Sequence, residues 1–303
     1  NMFDGAISFN QDIGEWKVSQ VMNMSNMFDN ATSFNQVLNR WDVSNVLYMG
    51  SMFNGATSFN QALNGWNVSR VTKMCHMFQH TISFNQDLNE WNVSRVANMS
   101  YMFGDAISFN RDIGGWDVSR VRDMSNMFYH ASTFNQNLSR WNVSNVANMC
   151  QMFSFATAFN QDLSGWRVDN VSNMCDMFHG ASSFYQDLSG WDVGMCRIHG
   201  MFSHATTLRT SLQSKMQVHS FFEGVYRDMP RVERRQAFAF MFSWPRRRAF
   251  MLFLVNYGYL YSAHVASNYN YNCPGATKPI NEVAPCDAIF DVEDIYRYIC
   301  QFL

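Results

Sequence analysis

Apolar positions recur along the first two-thirds of this 303-residue chain with a fixed period of 25, so one pattern describes eight copies. Met-Phe stands at 2–3, 27–28, 52–53, 77–78, 102–103, 127–128, 152–153 and 177–178, and again at 201–202, one residue early. Trp occupies 16, 41, 66, 91, 116, 141, 166 and 191, with Val two residues after each and Leu or Ile three before. A period of this length means stacked supersecondary units that touch only their neighbours. Ser follows the Val at 19, 44, 69, 94, 119 and 144, and Asp at 169, which are helix-capping residue types. Apolar side chains then come at offsets of three and four: Val21, Met24, Met27, Phe28 and Ala31 in one unit, Val146, Met149, Met152, Phe153 and Ala156 in another. Such spacing marks one buried helix face.

Each unit therefore predicts a short strand near 13–18, a helix near 20–30 and a return loop carrying Phe34 and Asn35. The L-x-x-W-x-V stretch has the spacing of a leucine-rich-repeat strand. The expected fold class is α/β: a leucine-rich-repeat-like solenoid with one short parallel strand plus a helix per repeat. Helices are wider than strands, so the sheet should line the concave side. The units FNQDLSGWRVDNVSNMCDMFHGASSF (159–184) and FNQDLNEWNVSRVANMSYMFGDAISF (84–109) resemble the BspA-type leucine-rich-repeat surface proteins, also described as the DUF285 repeat, over about residues 1–208. The resemblance implies a repetitive binding or adhesion surface, usually without catalysis and often secreted or attached to the cell surface. It implies a scaffold, not a particular ligand.

The invariant columns read first as core. Trp, Met and Phe at inward positions fill the space between units, each ring worth about 1.5–3 kcal/mol on burial; an exposed aromatic strip for sugars is the second reading. Asn10, Asn35, Asn60, Asn85, Asn110, Asn135 and Asn160 predict an asparagine ladder that satisfies loop backbone groups, broken at Tyr185. Asp12, Asp87, Asp112, Asp162 and Asp187 share a column interrupted by Val37, Ala62 and Asn137, and one carboxylate per turn does not build a calcium site. Cys75, Cys150 and Cys175 occupy a small-residue position as free thiols, and no C-x-x-C suggests zinc. No metal or cofactor is expected.

Charge shapes the choice of partner. A net charge of −2 with 15% charged residues argues against nucleic acid, which leaves a protein as the expected partner and a glycan as the alternative. The residues flanking Trp should point away from the core and line the concave face: Glu15, Arg40, Glu90 and Arg140 on one side, and Lys17, Asp42, Asn67, Asn92, Asp117, Asn142, Arg167 and Asp192 on the other. They vary where the inward columns do not, and are the candidate binding surface. Arg70, Arg95 and Arg120 share a column just after the cap, with Lys73 and Arg122 nearby, and make a possible anion site. His76, His80, His130, His179, His199 and His204 are scattered and fall in no catalytic motif, so an enzyme is not expected.

The pattern ends near 208. Residues 1–207 form the expected solenoid, and 208–303 a mostly helical C-terminal region, read from 208–226, 230–243, 245–263 and 291–303, that should cap the last repeat. The apolar run AFMLFLVNYGYL is well short of the roughly 20 residues needed to span a bilayer, so no transmembrane span is expected. The chain opens inside a unit with neither an initiator Met nor a signal pattern, and so reads as a piece of a longer one, its compartment open.

Overall fold

The computed structural model describes residues 2–206, together with Arg234 and Phe238. Positions 25 residues apart stack directly on one another, so each repeat is one coil of a solenoid and each sequence column a row along its axis. The last coil is one residue short, and Asn173 pairs with Arg197 instead of a residue 25 further on.

The coils are built from turns, and this corrects the expected α/β class. In the coil around Trp91, amide-to-carbonyl bonds three residues back close turns at Leu88–Trp91 (3.1 Å), Val93–Val96 (2.9 Å), Met99–Met102 (3.1 Å), Phe103–Ala106 (3.1 Å) and Ala106–Phe109 (3.0 Å). Residues 13–18 form no strand and residues 20–30 no helix. Ser94 caps nothing helical; its amide donates instead to Oδ1 of Asn92 at 3.1 Å. The apolar offsets of three and four are real, but a run of three-residue turns produces them as well as a helix does.

The amides between those turns point along the axis. Met99 N–H donates to Asp123 C=O (3.0 Å), Tyr101 to Ser125 (2.9 Å), Phe103 to Met127 (2.9 Å) and Asp105 to Tyr129 (2.6 Å). The same bonds repeat from coil to coil, and parallel bridges run Asn23–Tyr48–Lys73–Asn98–Asp123–Asn148–Asn173–Arg197. A chain that sets tight turns between axial bonds passes through the left-handed region at fixed positions of each coil. Accordingly Asn26, Ser51, His76, Tyr101, Asn126, Gln151 and Asp176 have φ of +54° to +58°, as do Asn30, His80, Asp105, His130, Phe155 and His204 four positions on.

Inside the coils Phe stacks on Phe and Trp on Trp. Trp41 to Trp191 are buried, which bears out the inward reading of that column; Trp16, in the first coil, is 39% exposed. Each buried indole N–H donates to a carbonyl of the preceding coil, as Trp116 does to Leu88 at 3.0 Å. The asparagine ladder is also present: Oδ1 of Asn110 accepts from Asn135 N–H (3.0 Å) and from Gln136 Nε2 (2.8 Å). It runs on to Tyr185, whose amide donates to Asn160 Oδ1 at 2.8 Å.

Coil spacing differs around the circumference. Direct backbone bonds hold parallel chains about 4.8 Å apart. Ring centroids lie 5.7 Å apart at Phe78–Phe103, 6.1 Å at Phe84–Phe109 and 6.5 Å at Trp91–Trp116. The stack therefore opens from the backbone ladder towards the tryptophans, where side chains are interposed between coils.

At the C-terminal end the Phe238 ring packs against Phe202, centroids 6.4 Å apart, and is fully buried. The rest of the expected helical cap, including 245–263 and 291–303, lies outside the described residues. Among the described residues no helix is long and apolar enough to cross a membrane.

Candidate functional site

The residues flanking Trp are on the surface. Glu15, Arg40, Glu90 and Arg140, and Lys17, Asp42, Asn67, Asn92, Asp117, Asn142 and Arg167, are exposed, and Asp192 is half-buried. Much of their chemistry is spent locally. Oδ1 of Asp42, Asn67, Asn92, Asp117, Asn142 and Asp192 accepts the amide two residues on, at 3.0–3.2 Å, which shapes the turn into Val46 and its equivalents. Hydrogen bonds from the Ser44 hydroxyl and amide hold the Asp42 carboxyl below its ordinary range, and Ser119 does the same for Asp117. The Asp or Asn in this column is thus a turn residue. Arg40 pairs with Glu15 of the preceding coil, and Arg167 with Asp169 at 3.5 Å.

The Asp column ruled out as a calcium ladder has the same local role. Asp12, Asp112, Asp162 and Asp187 each accept the amide two residues on at 2.8–2.9 Å. Among the described residues no group of three or more His, Cys, Asp or Glu could hold a metal ion. Burial pushes the Cys75, Cys150 and Cys175 thiols up, and that of Cys196 to about 12, which leaves them poor nucleophiles.

The ladder face concentrates chemistry that the sequence reading scattered. All six described histidines, 76, 80, 130, 179, 199 and 204, fall in the ladder segments of their coils, with Tyr101, Tyr129, Phe155, Asp105 and Asp176. The columns involved change at nearly every coil: Asn26, Ser51, His76, Tyr101, Asn126, Gln151, Asp176 in one, and Asn30, Gly55, His80, Asp105, His130, Phe155, Gly180, His204 in another. That variation was visible in the sequence. Assigned to an outer helix surface, it did not stand out as a single face.

These side chains contact one another along the axis. His76 stacks on Tyr101 with centroids 4.9 Å apart, and its Nδ1 lies 2.6 Å from Gln79 Oε1. The Asp105 carboxylate sits between imidazoles of the two adjacent coils, His80 at 3.5 Å and His130 at 3.3 Å. His130 stacks on Tyr129 (4.6 Å) and meets the Phe155 ring edge-on (4.7 Å). The Phe155 ring in turn covers Gly180, where an added Cβ would come 2.6 Å from ring carbon Cδ1.

The backbone makes this face costly to build. Left-handed φ suits Gly and Asn; a bulky side chain there costs of order 1–3 kcal/mol. Tyr101 (φ +55°) and Phe155 (φ +57°) stand in that conformation, and Phe155 is 36% exposed.

The sequence profile of the family described as "Mycoplasma protein of unknown function, DUF285" matches residues 1–80, 56–154 and 108–215. No curated protein and no solved structure matches the chain.

Proposed function

We propose, from the premise that the chain belongs to the DUF285 family, that it is a non-catalytic interaction scaffold which binds protein partners through the ladder face. The observation that carries this reading is the placement of Tyr101 and Phe155, exposed or half-exposed aromatics held in left-handed backbone that Gly or Asn would occupy with less strain. Where a local rule is broken at a partly exposed position, with only neighbouring surface side chains to pack on, function is the usual reason. The composition agrees: rigid aromatic anchors among Asn, Ser, Gly, Gln and His resemble an antibody paratope, in which aromatics supply contact area and small polar residues adapt. The resemblance to BspA-type surface proteins supports an adhesive setting. The glycan reading needed exposed tryptophans, and Trp41 to Trp191 are buried.

The test uses cross-linking pull-down with the full chain against a variant carrying Tyr101→Asn, Tyr129→Ser and Phe155→Gly, residues that the same columns use in other coils. The partner should be lost with this variant and kept with Arg40→Asn/Glu90→Gly on the Trp side. Equal capture by both variants, or loss only with the second, would contradict the assignment.

A further inference from the structure

We propose that Arg70, Arg95, Arg120 and Arg122 form a second site, on the shoulder beside the ladder, for an extended acidic peptide laid along the coil axis. The reason begins with what this column does elsewhere. Asn45, Asn145 and Asn170 occupy it in other coils, and each donates its Nδ2 to a carbonyl of the preceding coil, Ser19, Ser119 and Ser144 respectively, at 2.8 Å. Asn here ties one coil to the next.

Three consecutive coils give up that bond. Arg70 turns its guanidinium to Asn45 Oδ1 at 2.6 Å. Arg95 and Arg120 make no side-chain hydrogen bond or ion pair among the described residues, and both are exposed. Arg122 projects two residues beyond Arg120 and is exposed too, as is Lys73 two coils earlier, whose ammonium lies 5.8 Å from the centre of the Tyr48 ring. The same stretch also carries Asp87, Glu90, Asp105, Asp112, Asp117 and Asp123, of which Asp117 and Asp123 are nearest in sequence to these five cations. A row of arginines in three successive coils, obtained by surrendering a repeat-stabilising bond, fits an anionic ligand.

Geometry favours a peptide. Arg residues in successive coils repeat at the coil spacing, between that of the directly bonded ladder, about 4.8 Å, and the 6.5 Å of Trp91–Trp116. An extended chain presents every second side chain on one face at about 6.5 Å. Carboxylates at alternate positions can therefore meet one guanidinium each, with the bidentate geometry Arg provides. Single-stranded nucleic acid would need aromatic platforms between the charges. The outward column between the arginines and the ladder holds Thr72, Ala97 and Arg122 instead.

The probe is a labelled peptide of alternating Asp and Ser, compared by fluorescence anisotropy with one holding the same residues as a block of Asp followed by a block of Ser. The alternating peptide should bind the full chain several-fold tighter than the block peptide, and less tightly as salt rises. Arg70→Asn/Arg95→Asn/Arg120→Asn installs the repeat's own residue. It should keep or raise thermal stability while weakening peptide binding about tenfold or more. The ladder-face variant Tyr101→Asn/Tyr129→Ser/Phe155→Gly should leave peptide binding unchanged, which separates this site from the face proposed above. Equal affinity for the two peptides, undiminished binding by the Asn variant, or tighter binding of a single-stranded oligonucleotide or a sulfated glycan would each overturn the proposal.

Discussion

Two residue types divide the work of each coil, and single substitutions separate them. Trp116 is buried between coils and its indole N–H satisfies the Leu88 carbonyl, so Trp116→Ala opens a cavity and orphans an acceptor. We expect a loss of about 3–5 kcal/mol in denaturant unfolding, against less than about 1 kcal/mol for a surface position such as Arg140. Tyr101 has the opposite character. Tyr101→Asn relieves left-handed strain but loses the stack on His76. Stability should hold or rise by up to about 1 kcal/mol while partner capture falls, a trade expected where a residue is kept for binding. The buried columns, Trp, Met and Phe, were legible in the sequence because inward positions tolerate one residue type. The strained ones were not: left-handed φ leaves a sequence signature only through Gly and Asn, and here His, Tyr, Gln, Asp and Phe share those positions.

The coil itself is where sequence reasoning went astray, and for a definite reason. Val96, Met99, Met102, Phe103 and Ala106 are all buried, at the spacing of a helix face, yet each lies at or beside the corner of a three-residue turn. Periodicity reports which residues are inside and is blind to whether an amide bonds within its own coil or to the next. The Ser column misled in the same way, since Ser after Asp or Asn serves a local turn as well as it serves a helix cap. These turns carry a pH signature. Ser119 bonds hold the Asp117 carboxyl below its ordinary value of 3.8, and the amide and hydroxyl of Ser164 lower that of Asp162. A depressed folded-state value means the contribution is complete above the unfolded value and is lost as pH falls through the folded one. Acid titration should therefore weaken the array progressively below about pH 4. Asp117→Asn with Asp162→Asn, which keeps the turns as Asn92 and Asn137 do, should flatten that limb of the stability curve. An unchanged acid limb would show that these carboxylates are not responsible.

Taken as a stack, the coils explain why the ladder side of the solenoid is chemically rich while the bridging columns are uniform. Away from the ladder, side chains bridge the coils: Asn110 to Asn135, Trp116 to Leu88. Those positions keep one residue type because the bridge requires it. On the ladder side the backbone makes the bridge itself, and the side chains are released to vary. The freedom to place His80, Asp105, His130 and Phe155 in succession thus follows from which atoms join the coils, as does the position of the ladder on the narrow side of the stack. Everything proposed for the ladder face rests on that bonding pattern. Scalar couplings across hydrogen bonds, measured by NMR on the full chain, report for each amide which carbonyl it bonds. Tyr101 N–H should couple to Ser125 C=O, Phe103 to Met127 and Asp105 to Tyr129; couplings from Tyr101 to Ala97 and from Phe103 to Met99, within one repeat, would restore the helix and contradict the account.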